Sequence, residues 1–425
     1  MQAPLVTTLF VVALLASLLT SLWLTTRQMR HVAAHRERVP PPFATAVSPA
    51  AHRKAADYTL AKGRLSLVGA AIGAAVMLAW TLLGGLDLLN VTLRDALMPS
   101  WGPMAYQLAL LAAFVLVGTL LALPLDWLAT FGVEQRFGFN RSTPALFLAD
   151  QAKGLLVLAL VGGPMAALVL WLMGLSDGRW WLWAWFAWIA FNLLLMVIYP
   201  TLIAPLFNKF EPLADPNLAA RVHELMRRCG FKVSGLFVMD GSRRSAHGNA
   251  YFTGLGAAKR VVFFDTLLKR LNPLEVEAVL AHELGHFRLR HVHKRMVAVF
   301  AVSLLALALL VWLANQASFY LGLGVQPNLE APNDALALIL FTLALPPLAF
   351  FGAPLGALLS RRHEFEADAF ACAHADAGAL SSALVKLHQD NAATLTPDPI
   401  YVRFYYSHPP AGERLAALPP AAAAR

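Results

Sequence analysis

Charge is what this sequence has least of. Asp, Glu, Lys and Arg make up 14% of its 425 residues, against about a quarter in a soluble domain. That shortage excludes an ordinary water-soluble globular protein. Cysteine is scarce as well, with only Cys229 and Cys372 in the chain. Two isolated cysteines form neither a disulfide framework nor a zinc knuckle, and they read as packed thiols. No basic residue precedes the first apolar run, which follows Met1-Gln2-Ala3-Pro4. A cleaved signal peptide carries a basic start, so this run reads as a retained membrane helix. There is no internal repeat. There is also no interleaved basic and aromatic motif, so no nucleic-acid partner is expected.

What fills the space is apolar: 58% of the residues are hydrophobic. Seven stretches reach the length of about 20 residues that a helix needs to cross a bilayer. They are Leu5–Leu24, Leu65–Leu89, Ala105–Leu128, Gly154–Leu175, Trp180–Phe207, Met296–Gly322 and Ala335–Leu359. Of the 34 Lys and Arg residues, 32 fall in the segments 26–64, 131–153, 206–295 and 361–425, and the alternate loops carry only Arg94 and Arg179. Seven spans put those four basic segments on one face. The positive-inside rule makes it the cytoplasmic face, with the N-terminus outside. The formal charge of +9 is thereby explained by topology. The chain divides into five spans with their loops (1–207), a polar region (208–295), two further spans (296–360) and a C-terminal region (361–425).

The first polar region holds His282-Glu283-Leu284-Gly285-His286. Ahead of it, Asn272 suits a helix N-cap, Pro273 the first helical position and Glu275 a capping box. Val276, Val279, Leu280 and Leu284 recur at helical spacing. Histidines four apart project from one helix face, where two imidazoles can hold zinc at about 2.0–2.1 Å. Glu283, beside the first of them, is placed to act as a general base on an activated water. A catalytic zinc takes a third protein ligand. Residues 360–371, SRRHEFEADAFA, form a helix with several candidates. Glu364 and Asp368 share a face, one to bind metal and the other to hydrogen-bond a ligand imidazole. Spacing alone leaves His363 and Glu366 in competition. The remaining histidines read as non-ligands, with His291 and His293 as interfacial charge neighbours.

HELGH, SRRHEFEADAFA, RSAHGNAYFTG (244–254), KRVVFFDTLL (259–268) and SHPPAGERL (407–415) run in order over the second half of the chain. Together they resemble the CAAX prenyl protease 1 family. The resemblance implies a mostly α, polytopic membrane protein whose seven transmembrane helices form a chamber. A gluzincin-like metallopeptidase domain with a small β element lies on its cytoplasmic side. It implies one Zn2+ per chain held by His282, His286 and Glu364, with Glu283 as base and Asp368 behind a ligand. Asn249, Ala250 and Tyr251 are then substrate-binding, since an extended peptide can add to an edge strand. His408 and Arg414 are the candidate donors to the oxyanion or to a substrate carboxylate. His363 departs from the family pattern, which has an aromatic or another residue before the ligand glutamate.

The expected activity is zinc-dependent hydrolysis of peptide bonds, resembling removal of the last three residues from a prenylated protein. Abundant Ala, Leu and Arg point to a GC-rich bacterium, hence to an inner-membrane protein acting on peptide or protein substrates, lipidated or not. Without prenyl clients, membrane-protein quality control is the alternative role. An inactive scaffold or a transporter is the alternative of a different class, although neither requires HExxH with a distant ExxxD.

Overall fold

The computed structural model describes residues 2–175, 178–231, 235–253 and 260–419. Its framework is seven helices long and apolar enough to cross a membrane: Ala3–Ala34, Pro49–Trp80, Gly85–Glu134, Pro144–Met173, Trp180–Phe207, His291–Ala314 and Asp334–His374. The sequence places all seven; most of the helices run beyond their apolar stretches, the third back to Gly85 across a kink at Gly102, and two stop well short of them. The second helix stops at Trp80 rather than running to Leu89. Gly84 takes a left-handed φ of +80°, and a Cβ on Gly85 would lie 2.5 Å from the Ala79 carbonyl oxygen. The apolar run therefore turns at its two glycines and starts a new helix. The sixth stops at Ala314, and a separate short helix, Ala317–Gly322, packs on the first span. There the Thr7 hydroxyl donates to the Gly322 carbonyl at 2.7 Å.

The spans meet in a packed cap at one end. Phe10 and Leu14 of the first span join Trp80, Leu110, Leu170, Leu310, Leu336 and Leu340 in one cluster. Polar groups buried beside it satisfy one another: Asn90 donates to Asn328, which also takes a bond from Arg94. Away from the cap the spans pack loosely. In five of the seven no more than 11% of the most apolar window is buried. A helix in a solid bundle buries a whole apolar face, so most of the apolar surface of these helices is left to lipid or to a cavity rather than to neighbouring protein.

The second core closes the other end. A four-stranded sheet has the order β1 (Phe210–Pro212), β2 (Gly235–Met239), β4 (Arg260–Phe264), β3 (Ala250–Thr253). Strands β2 and β4 are parallel, and the outer strands are antiparallel to them. Val261 and Phe263 pack with Leu225 of the helix Pro216–Arg228 and with Leu280 and Leu284 of the HExxH helix. Both metallopeptidase segments continue into the membrane part. The HExxH helix Pro273–Arg288 turns at Arg290, whose φ is +58°, directly into the sixth span. The seventh helix passes through a 3-10 turn at Phe350–Gly352, continues to His374 and carries residues 363–368 beyond its apolar part.

Candidate active site

The HExxH helix begins on a closed capping box. The Glu275 amide donates to the Asn272 side chain at 3.0 Å, and the Asn272 amide to the Glu275 carboxylate at 2.8 Å. Val276, Leu280 and Leu284 are buried and fix the helix rotation. His282, Glu283 and His286 are thus turned toward the seventh helix. The two helices come very close at Gly285, where an added Cβ would lie 3.1 Å from the Ala367 Cα and 3.1 Å from the Phe370 Cβ. A larger residue would push the helices apart, and this close crossing brings Glu364 to the two histidines.

Three candidate ligand residues converge there. The Nε2 atoms of His282 and His286 are 3.2 Å apart. The Glu364 Oε1 is 3.3 Å from His286 Nε2, and its Oε2 is 3.5 Å from His282 Nε2. Bonds of about 2.0–2.1 Å to a tetrahedral ion require ligand atoms about 3.3–3.4 Å apart, so the two imidazoles, and each imidazole with the carboxylate oxygen nearest it, stand at the separation of ligands to one metal. Among the described residues the buried Glu364 Oε2 has no hydrogen-bond partner, an arrangement that a buried carboxylate oxygen avoids and a metal resolves. The donor set of two imidazoles and one carboxylate suits zinc. His282 is braced from behind: its Nδ1 is 2.8 Å from Asp368 Oδ1. Arg414 in turn grips Asp368 through Nε at 2.8 Å and Nη2 at 2.6 Å. Burial opposes a proton on the metal-free His282, but Asp368 and Glu364 outweigh it and hold its pKa up at about 9.

Glu283 is half-buried, and its carboxylate makes no hydrogen bond to another described residue. Burial pushes its carboxyl above the ordinary range, against the pull of His282 and His286. The group is therefore more basic than a surface glutamate. His408 approaches the ligand carboxylate, with Nε2 3.4 Å from Glu364 Oε1, and its side chain is 66% exposed. Arg414 is turned the other way. It is buried, two of its nitrogens are taken by Asp368, and its Nη1 is 3.6 Å from Glu364 Oε2.

Asn249, Ala250 and Tyr251 do not touch this cluster. Ala250 and Tyr251 begin β3, an edge strand of the described sheet, and Asn249 directly precedes it. Asn249 is exposed, and its side chain accepts from the Ala250 amide at 2.8 Å. The strand reaches the site through Phe252, whose ring packs 4.8 Å from that of Phe287, the residue after His286. Of the other candidates at 363–368, His363 and Glu366 project toward His291 instead.

His291 is the residue that sequence reasoning missed. It is buried, not an interfacial charge neighbour, and its Nδ1 is 3.1 Å from His286 Nδ1. The one available signal was its position just past the end of the HExxH helix, but only the left-handed turn at Arg290 folds it back onto His286. His293, two residues on, is exposed.

The fold and the paired imidazole and carboxylate groups define a membrane-integrated metallopeptidase. A family model described as "CAAX prenyl protease N-terminal, five membrane helices" matches residues 28–209, and "Peptidase family M48" matches residues 212–421. The chain belongs to the CAAX prenyl protease 1 family of zinc metallopeptidases. It is 33% identical to CAAX prenyl protease 1 of Saccharomyces cerevisiae, over 93% of this chain and 91% of that one. It is 30% identical to the human CAAX prenyl protease 1 homolog, over 96% and 95%. The crystal structure of S. mikatae Ste24p superposes with a TM-score of 0.89, at 30% identity, over 99% of both chains.

Proposed function

We propose that this protein is a zinc endopeptidase that cleaves near the C-terminus of lipidated proteins, with His282, His286 and Glu364 holding one zinc ion per chain. The observation that carries the metal assignment is the convergence of His282 Nε2 and His286 Nε2 on the buried Glu364 carboxylate, whose Oε2 accepts no hydrogen bond from a described residue. Zinc bound there supplies a Lewis acid beside the scissile carbonyl. Glu283 accepts a proton from water as the water oxygen attacks the carbonyl carbon, and then delivers that proton to the leaving amide nitrogen. His408 donates from Nε2 to the oxygen that gains charge. Asp368 fixes the His282 tautomer by accepting from Nδ1–H. Arg414 holds Asp368 and faces Glu364, so its part is to set the ligand geometry rather than to meet the substrate.

The peptide adds in extended form to the free edge of β3 at Asn249, Ala250 and Tyr251, through main-chain hydrogen bonds. A prenyl chain attached nearby has the apolar wall of the chamber to lie against. The relatives' names, CAAX prenyl protease 1, support that substrate class. The basic loops, with 32 of the 34 Lys and Arg, support a site on the cytoplasmic side of a cell membrane and an N-terminus on the other. The test compares farnesylated and unmodified versions of one quenched peptide, on the detergent-solubilised zinc enzyme. The reading requires faster cleavage of the farnesylated peptide, with release of its last three residues. Equal rates on both support a general membrane peptidase instead.

A further inference from the structure

Outside the ligand set, the chain gathers a second group of titratable side chains against it: His291, His363 and Glu366, which offer ligand atoms within 4.8 Å of one another. A second cation is the first possibility to weigh. A metal about 2.0–2.1 Å from an imidazole nitrogen lies close to that ring's plane. The rings of His291 and His363 are stacked, 4.0 Å between centroids and 10° from parallel. Two such planes share no point that both nitrogens can address, so the pair is poorly built for a metal.

The hydrogen bonds run in another direction. The His286 Nδ1 is 3.1 Å from His291 Nδ1, the His291 Nε2 is 2.9 Å from Glu366 Oε2, and Arg362 Nε donates to Glu366 Oε1 at 3.1 Å. The protons on this chain follow from one assumption, which is the reading above that His286 offers the lone pair of Nε2 to the metal. Its proton is then on Nδ1 and is donated to His291 Nδ1, which must be bare. The His291 proton is consequently on Nε2, aimed at the Glu366 carboxylate. Every nitrogen in the chain has one role and one partner. We propose that His291 is a positioning residue that orients His286 and raises its basicity, with Glu366 as the carboxylate that fixes the His291 tautomer. The two metal-facing histidines are then braced alike. His282 leans on Asp368 and Arg414 directly, while His286 leans on Glu366 and Arg362 through one additional imidazole. Ligand histidines characteristically donate their second N–H to such a partner. The additional imidazole spans the gap because His291 is the first residue of the sixth span, one turn of chain beyond His286.

The experiment measures zinc affinity by chelator competition, and the absorption spectrum of the cobalt-substituted protein, on full-length chain in detergent. His291→Phe keeps a ring of similar size in the same packing but has no nitrogen, and zinc affinity is expected to fall by about 10–100-fold. The cobalt spectrum should change with it. His291→Asn returns a hydrogen-bonding side chain and should recover part of the loss. Glu366→Ala, at a half-exposed position where folding is not at risk, should weaken zinc in the same direction by a smaller factor, and Glu366→Gln by less, because the amide oxygen still accepts. His363→Phe, which keeps only the stacking, should bind as the parent does. Parent-like zinc affinity in both His291→Phe and Glu366→Ala overturns the proposal. So does a second zinc per chain that His363→Phe abolishes, since the cluster would then be a cation site. His286→Ala separates the two readings: if it still binds zinc as the parent does, His286 is not a ligand, and the assignment beneath the proposal fails first.

Discussion

Replacing Gly285 by alanine tests how the site is assembled. The residue sits three after His282 and one before His286, and the backbone it meets, at Ala367, is three after Glu364 and one before Asp368. One helix crossing therefore sets the separation of all these groups. An alanine Cβ would meet the Ala367 Cα at 3.1 Å, the Phe370 Cβ at 3.1 Å and the Ala367 carbonyl oxygen at 3.2 Å. Carbon atoms prefer about 3.5–4.0 Å, and none of these neighbours can rotate aside. The helices must part by about 0.4 Å or more. A metal site tolerates about ±0.2 Å, so the shift exceeds what the ligands can absorb. Stability should change much less. Alanine gains about 1 kcal/mol in a helix interior over glycine, which offsets much of the roughly 1–3 kcal/mol cost of overpacking. The expected variant folds, with thermal unfolding of the metal-free protein close to that of the parent, yet binds zinc at least about tenfold more weakly. Chelator competition measures the affinity, and turnover of a quenched peptide at fixed free zinc measures the consequence. Parent-like affinity and turnover would refute the argument that this crossing governs the ligand geometry.

Glu283→Gln should keep near-parental zinc content and lose a factor of about 10² or more in peptide cleavage, because the amide cannot take the proton. Glu364→Gln should lose both metal and rate, so metal analysis and turnover on the two variants separate base from ligand. The pH dependence of zinc affinity follows from His282, whose pKa in the metal-free site is raised to about 9. Below that value the imidazole is protonated and metal must displace the proton. Affinity should therefore rise with pH, up to about tenfold per unit, and level off near pH 9; a flat titration between pH 6 and 8 would contradict it. Reporter fusions after residues 60, 140, 250 and 400 should all read cytoplasmic, and fusions near 97 and 328 the opposite face. A non-cytoplasmic signal at 250 would reverse the orientation.

Composition and local pattern were enough for the membrane class and the seven spans. A bilayer imposes length and apolarity on each segment separately, and neither depends on what the segment packs against. The HExxH helix was legible for the same reason, since its cap, its apolar stripe and its two histidines all lie within fifteen residues. Its Gly285 looked like any glycine in that pattern, and only the approach of Ala367 gives it a reason. Boundaries failed where a tertiary feature overrode hydropathy, as at Gly84 and Gly85, where an unbroken apolar run turns on itself. At residues 363–368, spacing left four candidates, because a helix presents its side chains all round. The crossing at Gly285 turns Glu364 and Asp368 inward and leaves His363 and Glu366 on the other side. Arg414 was legible as a cation but not as a residue directed at Asp368, and His291 only as a histidine near the membrane. Their partners are 46 residues away for Arg414 and around a left-handed turn for His291. Local sequence carries no record of such distances, and the packing of the seventh helix against the HExxH helix decides them.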